Sequence, residues 1–134
     1  MDDTVRKIYT LHAQGYCCSQ IMLKMGLDAR GEENPTLLEA AAGLCGGLSS
    51  GFCCGTLTGA ACLLAMYDKE QARATMIPEL VEWFKETNIP RYGGIDCSDI
   101  IAGDAMKKFE RCPKMIIETF EKCRELLADW GYEI

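Results

Sequence analysis

Residues 43–59 read GLCGGLSSGFCCGTLTG, and the glycines at 43, 47, 51, 55 and 59 stand four apart, the interval that lines one face of a helix. Whether this stretch is helix or loop decides the fold. A helix carrying all five glycines would lose about 1 kcal/mol per glycine relative to alanine. The expectation is therefore a loop through about Cys53 and a helix from Cys54 or Gly55 to about Thr75. Glycines on that helix leave room for another helix backbone or for a bulky inorganic group, and the two readings weigh equally. The run from Ala40 to Tyr67 holds no charged residue, which raises the question of a membrane span. It contains six glycines together with Ser49, Ser50, Thr56 and Thr58, and its strongly apolar part, Ala60 to Met66, falls well short of the ~20 residues a spanning helix needs. A buried core beside a Gly- and Cys-rich loop is the better reading, and membrane insertion is not expected.

Outward from this stretch, apolar residues recur at helical spacing and no strand-length alternation stands out. The fold class is read as all-α, a compact single-domain helical bundle of about six helices over residues 1–134. A first helix from about Asp3 to Ala13 buries Val5 and Ile8, with Gly15 as its left-handed terminator. A short second helix covers about Ser19 to Met25, and Asn34-Pro35 starts a third that ends near Gly43. Pro78 opens a helix through Lys85, with Leu80, Val81 and Phe84 facing inward, and Pro90 with Gly93-Gly94 breaks the chain. Asp96-Cys97-Ser98-Asp99 reads as one more start and Cys112-Pro113 as another, the last helix running to about Trp130 before Gly131.

The composition, 49% apolar and 25% charged over 134 residues, fits one globular domain. Fourteen Lys and Arg against twenty Asp and Glu give a net charge of -6, so no nucleic acid partner is expected. Nine cysteines are the oddity of the composition. The opening Met-Asp-Asp-Thr-Val-Arg-Lys carries no apolar core of a secretory signal, so the default expectation is cytoplasmic, where thiols are free or metal-bound. An odd count also weakens any all-disulfide scheme. His12 is the single histidine and no Cys-x-x-Cys-His occurs, which sets aside covalent haem and His-rich zinc sites.

Placed on this map, the thiols fall into two groups. Cys17-Cys18, Cys53-Cys54, Cys97 and Cys112 sit at expected helix starts, where unpaired N–H groups and the positive end of the dipole favour thiolates. Cys62 and Cys123 fall mid-helix among apolar residues and are read as buried and structural. The steps from Cys18 to Cys54 to Cys97 to Cys112 are 36, 43 and 15 residues, unlike the close ligand pairs of zinc knuckles, so only tertiary folding would gather them. If they converge, soft sulfur donors limit the occupant to an iron-sulfur cluster, zinc or copper(I). Flanking glycines favour the cluster, because exposed backbone N–H groups donate to its sulfurs. Four thiolates suit a 2Fe-2S or a 4Fe-4S centre equally, and zinc stays open as the alternative.

These residues also carry a resemblance. The chain resembles the family of redox-active proteins named for its C_GCAxxG_C_C cysteine pattern, small helical proteins to which the iron-sulfur part of split-Soret cytochromes is similar. The family's first cysteine, in a Gly-x-x-Cys-x-Gln setting, matches Cys18 within Gly15-Tyr16-Cys17-Cys18-Ser19-Gln20. Its Cys-Gly-Ala-x-x-Gly motif matches Cys54-Gly55-Thr56-Leu57-Thr58-Gly59, with threonine where alanine is usual, and its later cysteines match Cys97 and Cys112. The resemblance covers about Gly15 to Leu127. It implies redox or electron-transfer chemistry at a cysteine site, with an iron-sulfur cluster as a candidate cofactor, a redox partner protein, and a setting in anaerobic prokaryotes. Cys17, Cys45 and Cys53 are extra thiols beside the matched positions.

Three functions compete on these grounds. The first is an iron-sulfur redox protein with Cys18, Cys54, Cys97 and Cys112 as ligands. The second is a thiol-disulfide or sulfur-carrier protein in which Cys54, with a lowered pKa, attacks and Cys53 or Cys45 resolves. The third is a zinc-stabilised interaction domain. A homodimer is suggested only by the small size and the glycine-lined helix. No Ser-His-Asp set, P-loop or dinucleotide fingerprint is present.

Overall fold

The Asp2 carboxylate accepts the N–H of Thr4 at 2.8 Å and so opens α1 (Asp3–Ala13) in a computed structural model that describes residues 2–134. Gly15, at φ +95°, turns the chain out of α1. Next comes α2 (Cys18–Ala29), longer at both ends than its apolar pattern indicated; the Gln20 side chain accepts the Cys17 N–H at 3.1 Å and fixes its first turn. Asn34 caps α3 (Pro35–Ala41) by accepting from the Leu37 N–H at 3.1 Å, and a 3₁₀ turn (Ala42–Leu44) carries the chain into the Gly- and Cys-rich loop.

The loop ends where expected, with Cys54 as the N-cap of α4 (Gly55–Tyr67). This helix stops at Tyr67 rather than near Thr75. Asp68, the first charged residue after the long uncharged run, leaves helical geometry at φ -153° and uses its carboxylate to accept from the Gln71 N–H at 3.1 Å and from the Tyr132 hydroxyl at 2.9 Å. A single turn α5 (Lys69–Gln71) and a π-helical turn (Ala72–Met76) then lead into α6 (Ile77–Tyr92), which runs past Lys85, takes Pro90 into its last turn and ends at Gly93, φ +81°.

The start signal around Asp96 is realised as α7 (Cys97–Ile101), where the Asp99 carboxylate accepts from the Asp96 N–H at 3.2 Å. The start expected at Cys112-Pro113 is not. Ala102 and Gly103, both left-handed, end α7, and Asp104 caps α8 (Ala105–Ala128) by accepting from the Met106 N–H at 2.9 Å. Pro113 lies inside α8. The carbonyl four residues earlier, which a proline leaves without a donor, belongs to Phe109, an exposed residue.

Among the described residues the one β pairing is an isolated bridge between Cys53 and Asp96, so the all-α reading holds, with seven helices besides the single turn α5 where about six were expected. The core gathers Ile8, Ile21, Met22, Leu63, Phe84, Ile116 and Phe120, all at most 1% exposed. On α8 the buried residues Cys112, Met115, Ile116, Phe120, Cys123 and Leu127 repeat at three- and four-residue steps. Among the described residues no helix is long and apolar enough to cross a membrane.

The glycine face of α4 is taken up inside the chain. A Cβ on Gly59 would lie 2.7 Å from Ser19 Cα, so α2 packs on α4 backbone to backbone, and one on Gly55 would lie 3.2 Å from the Leu44 carbonyl oxygen of the 3₁₀ turn. That contact removes the glycine argument for a homodimer. Cys123 is fully buried as expected, but Cys62 is exposed, so the expectation of a buried thiol fails there.

Candidate functional site

Three helix starts and the flank of a long helix meet at one place. Cys18 is the first residue of α2, Cys54 the N-cap of α4 and Cys97 the first residue of α7, as the start signals indicated. Cys112 differs: it lies in the second half of the first three turns of α8, on its buried face, so the helix-dipole argument does not reach it. The chain brings these residues together by close backbone approach. A Cβ on Gly55 would stand 3.7 Å from the Cys18 Cβ, and the Cys97 N–H donates to the Phe52 carbonyl at 2.7 Å, pinning the start of α7 beside the start of α4.

The result is a cavity of about 390 Å³ whose wall holds Cys17, Cys18, Cys45, Cys54, Cys97 and Cys112. Lys108 and the half-buried His12 also reach it, the His12 ring standing edge-on to Phe109 with centroids 5.9 Å apart. All four matched cysteines therefore share one cavity. Cys53 is outside its wall, held in the bridge to Asp96.

The electrostatics are unequal. A hydrogen bond from the Cys112 thiol lowers the Cys18 pKa to about 7, against the cost of burial and with help from the Thr56 hydroxyl and the Lys108 charge. Cys112 is raised strongly, first because it keeps its proton to donate to Cys18 and then by burial. Burial, reinforced by the Cys18 charge, pushes Cys54 up to about 12 despite N–H groups of Thr56 and Leu57 at the helix start. Cys97 is raised by burial and by the same charge. A low-dielectric pocket tolerates one thiolate beside a single lysine and keeps the remaining thiols neutral.

This corrects the thiol-exchange assignment read from the sequence. Cys54 is not the activated thiol; Cys18 is. Cys45 is not free to resolve Cys54, since it is disulfide-bonded to Cys17 with Cα atoms 5.9 Å apart, and the expectation that every thiol is free or metal-bound fails at this pair. No spacing rule pointed to that pairing, because it joins the cap of α2 to the loop beyond α3 and exists only through the fold.

Does the pocket suit a soft metal centre? Four sulfur donors, a lysine, and glycines 46 and 55 in the wall answer to that chemistry. The Thr56 hydroxyl is buried without a hydrogen-bond partner while standing beside the sulfurs of Cys18 and Cys54, as a donor awaiting a charged acceptor would. Bound metal ions would supply the positive charge that the three neutral thiols need in order to lose their protons. Among the described residues, however, no group of three or more His, Cys, Asp and Glu side chains gathers tightly enough to hold one metal ion. The donor set is that of a soft metal centre, with the four thiols lining one cavity rather than drawn into a tight group.

Compared with known proteins, residues 16–126 match the model of a family described as "Putative redox-active protein (C_GCAxxG_C_C)". That span contains every cysteine of the chain. No curated protein and no solved structure matches.

Proposed function

The chain belongs to the C_GCAxxG_C_C redox-active family, and on that premise we propose that it is an electron-transfer protein in which Cys18, Cys54, Cys97 and Cys112 hold an iron-sulfur cluster. The observation that carries this reading is the meeting of those four thiols, from four separate helices, at one cavity of about 390 Å³. Glycines 46 and 55 in the cavity wall support a cluster over a lone zinc, because glycine leaves backbone N–H groups open to bridging sulfides.

Such a centre supplies one-electron transfer at a potential set by the charge and hydrogen bonding around it. The chain's own residues have definable parts. Cys18, with a pKa of about 7, would be the first sulfur ready to bind metal, and Cys54, Cys97 and Cys112 would hold it as thiolates once its positive charge favoured their ionisation. The Thr56 hydroxyl and the N–H groups of Thr56 and Leu57 donate toward ligand sulfur. Lys108 offsets part of the thiolate charge, and Phe109 shields the opening. A redox partner protein and a reducing, cytoplasmic setting belong to the same proposal.

The test is metal and acid-labile sulfide analysis with visible absorption on protein prepared without oxygen. Stoichiometric iron and sulfide with broad visible absorption that bleaches on reduction is the expected result. Zinc alone would replace this reading with the zinc-stabilised domain.

A further inference from the structure

Beside the four-thiol site, the cavity wall holds a second sulfur chemistry. Cys17 and Cys45 form a disulfide across 28 residues of chain, both are half-exposed, and both line the cavity. A disulfide sealed in a core resists exchange, whereas one open to a cavity is within reach of an attacking thiolate. Immediately behind the pair stands Ser19, which is fully buried. Its hydroxyl donates to the Ala41 carbonyl at 2.8 Å, and the same oxygen lies 3.3 Å from Cys17 Sγ and 3.6 Å from Cys45 Sγ.

The hydrogen-bond arithmetic of that oxygen is informative. With its one proton committed to Ala41, only its lone pairs face the sulfurs, and a disulfide has no proton to give them. Two thiols do. The acceptor that a reduced pair needs is therefore in place, with the Ala41 carbonyl a further 4.0 Å contact for Cys45. Both oxidation states fit without leaving a buried S–H unanswered.

We propose that Cys17–Cys45 is a reversible dithiol-disulfide site that exchanges electrons with an external dithiol, a second activity that does not depend on the metal reading. A thiolate of the external dithiol attacks Cys45 Sγ, an S–S bond forms between them, and the Cys17–Cys45 bond breaks. Cys17, at the N-cap of α2, leaves as the thiolate and takes up a proton. The second thiol of the external molecule then attacks the mixed disulfide and releases Cys45. Two electrons pass to the pair, two protons end on Cys17 and Cys45, and the external dithiol leaves as its disulfide. Cys17 and Cys45 lie outside the four matched positions.

The experiment equilibrates the full chain, free of iron, in mixtures of reduced and oxidised dithiothreitol under argon, traps thiols by alkylation and weighs the Cys17 and Cys45 peptides. The expected result is a single two-electron transition in which both peptides change together while circular dichroism stays native. Ser19→Ala shifts the equilibrium toward the disulfide by about 5-fold through loss of one hydrogen-bond acceptor. A pair that stays protected until the protein unfolds is a structural brace and overturns the proposal, and so does a pair found as free thiols in fully oxidised buffer. Iron and sulfide content are read on separate samples, so failure of the metal reading and failure of this one are told apart.

Discussion

The Cys112 thiol, on the flank of α8, donates a hydrogen bond to the sulfur of Cys18 at the start of α2, and that one contact sets the order in which the cavity ionises. With a pKa of about 7, Cys18 is mostly thiol below neutrality and mostly thiolate above it, while Cys54 stays protonated to about 12. In metal-free protein, iodoacetamide is expected to modify Cys18 first among the four matched cysteines, with a rate that rises through pH 7 and levels off above pH 8. Cys112→Ala removes the largest lowering influence, so the midpoint of that rate profile moves upward. Peptide mass analysis across pH reads it; Cys54 reacting ahead of Cys18 would contradict the ordering.

Gly59 is the tightest point of the α2–α4 contact. Gly59→Ala gains about 1 kcal/mol of helix propensity but places a methyl group 2.7 Å from Ser19 Cα and 3.0 Å from its carbonyl oxygen, both backbone atoms that cannot swing aside. Overpacking of that kind costs about 1–3 kcal/mol. Gly43→Ala meets nothing within 4 Å and serves as the control. Urea unfolding is expected to separate the two, with Gly59→Ala clearly destabilised and Gly43→Ala near the parent.

Thr56 occupies the position where its family usually has alanine, and its hydroxyl is buried without a partner. Below neutral pH, where Cys18 is mostly thiol, that group is a liability of about 1–3 kcal/mol, so Thr56→Val is expected to raise the stability of the metal-free form in urea at pH 6, whereas above pH 8 the lost help to the Cys18 thiolate offsets the gain. In the loaded protein the same hydroxyl donates toward ligand sulfur, and its removal is expected to lower the midpoint potential, while Thr56→Ser keeps it. An apo form destabilised by Thr56→Val at pH 6 would mean that the hydroxyl is already satisfied.

What the amino-acid order disclosed was set by local chemistry. The bounds of α1, the Asn34-Pro35 start, the loop through Cys53 and the start at Asp96 all follow from caps and turns whose partners lie within a few residues. The end of α4 before Asp68 is hidden in the sequence, because one partner of that capping carboxylate, Tyr132, lies at the other end of the chain. Proline usually marks a helix start, but Asp104 opens α8 well before Pro113, which lies inside the helix. The four matched cysteines were legible as a set; their meeting, the Cys18 and Cys112 hydrogen bond and the Cys17 and Cys45 pairing belong to tertiary structure alone.

The most direct measurement replaces each of the seven cysteines outside the Cys17–Cys45 disulfide in turn by serine, loads the folded variants with iron and sulfide without oxygen, and counts iron per chain. Loss of iron in Cys18→Ser, Cys54→Ser, Cys97→Ser and Cys112→Ser, with full loading in Cys53→Ser, Cys62→Ser and Cys123→Ser, is the expected result. Full loading in two or more of the first four, or loss confined to the second set, would contradict the four-thiol site.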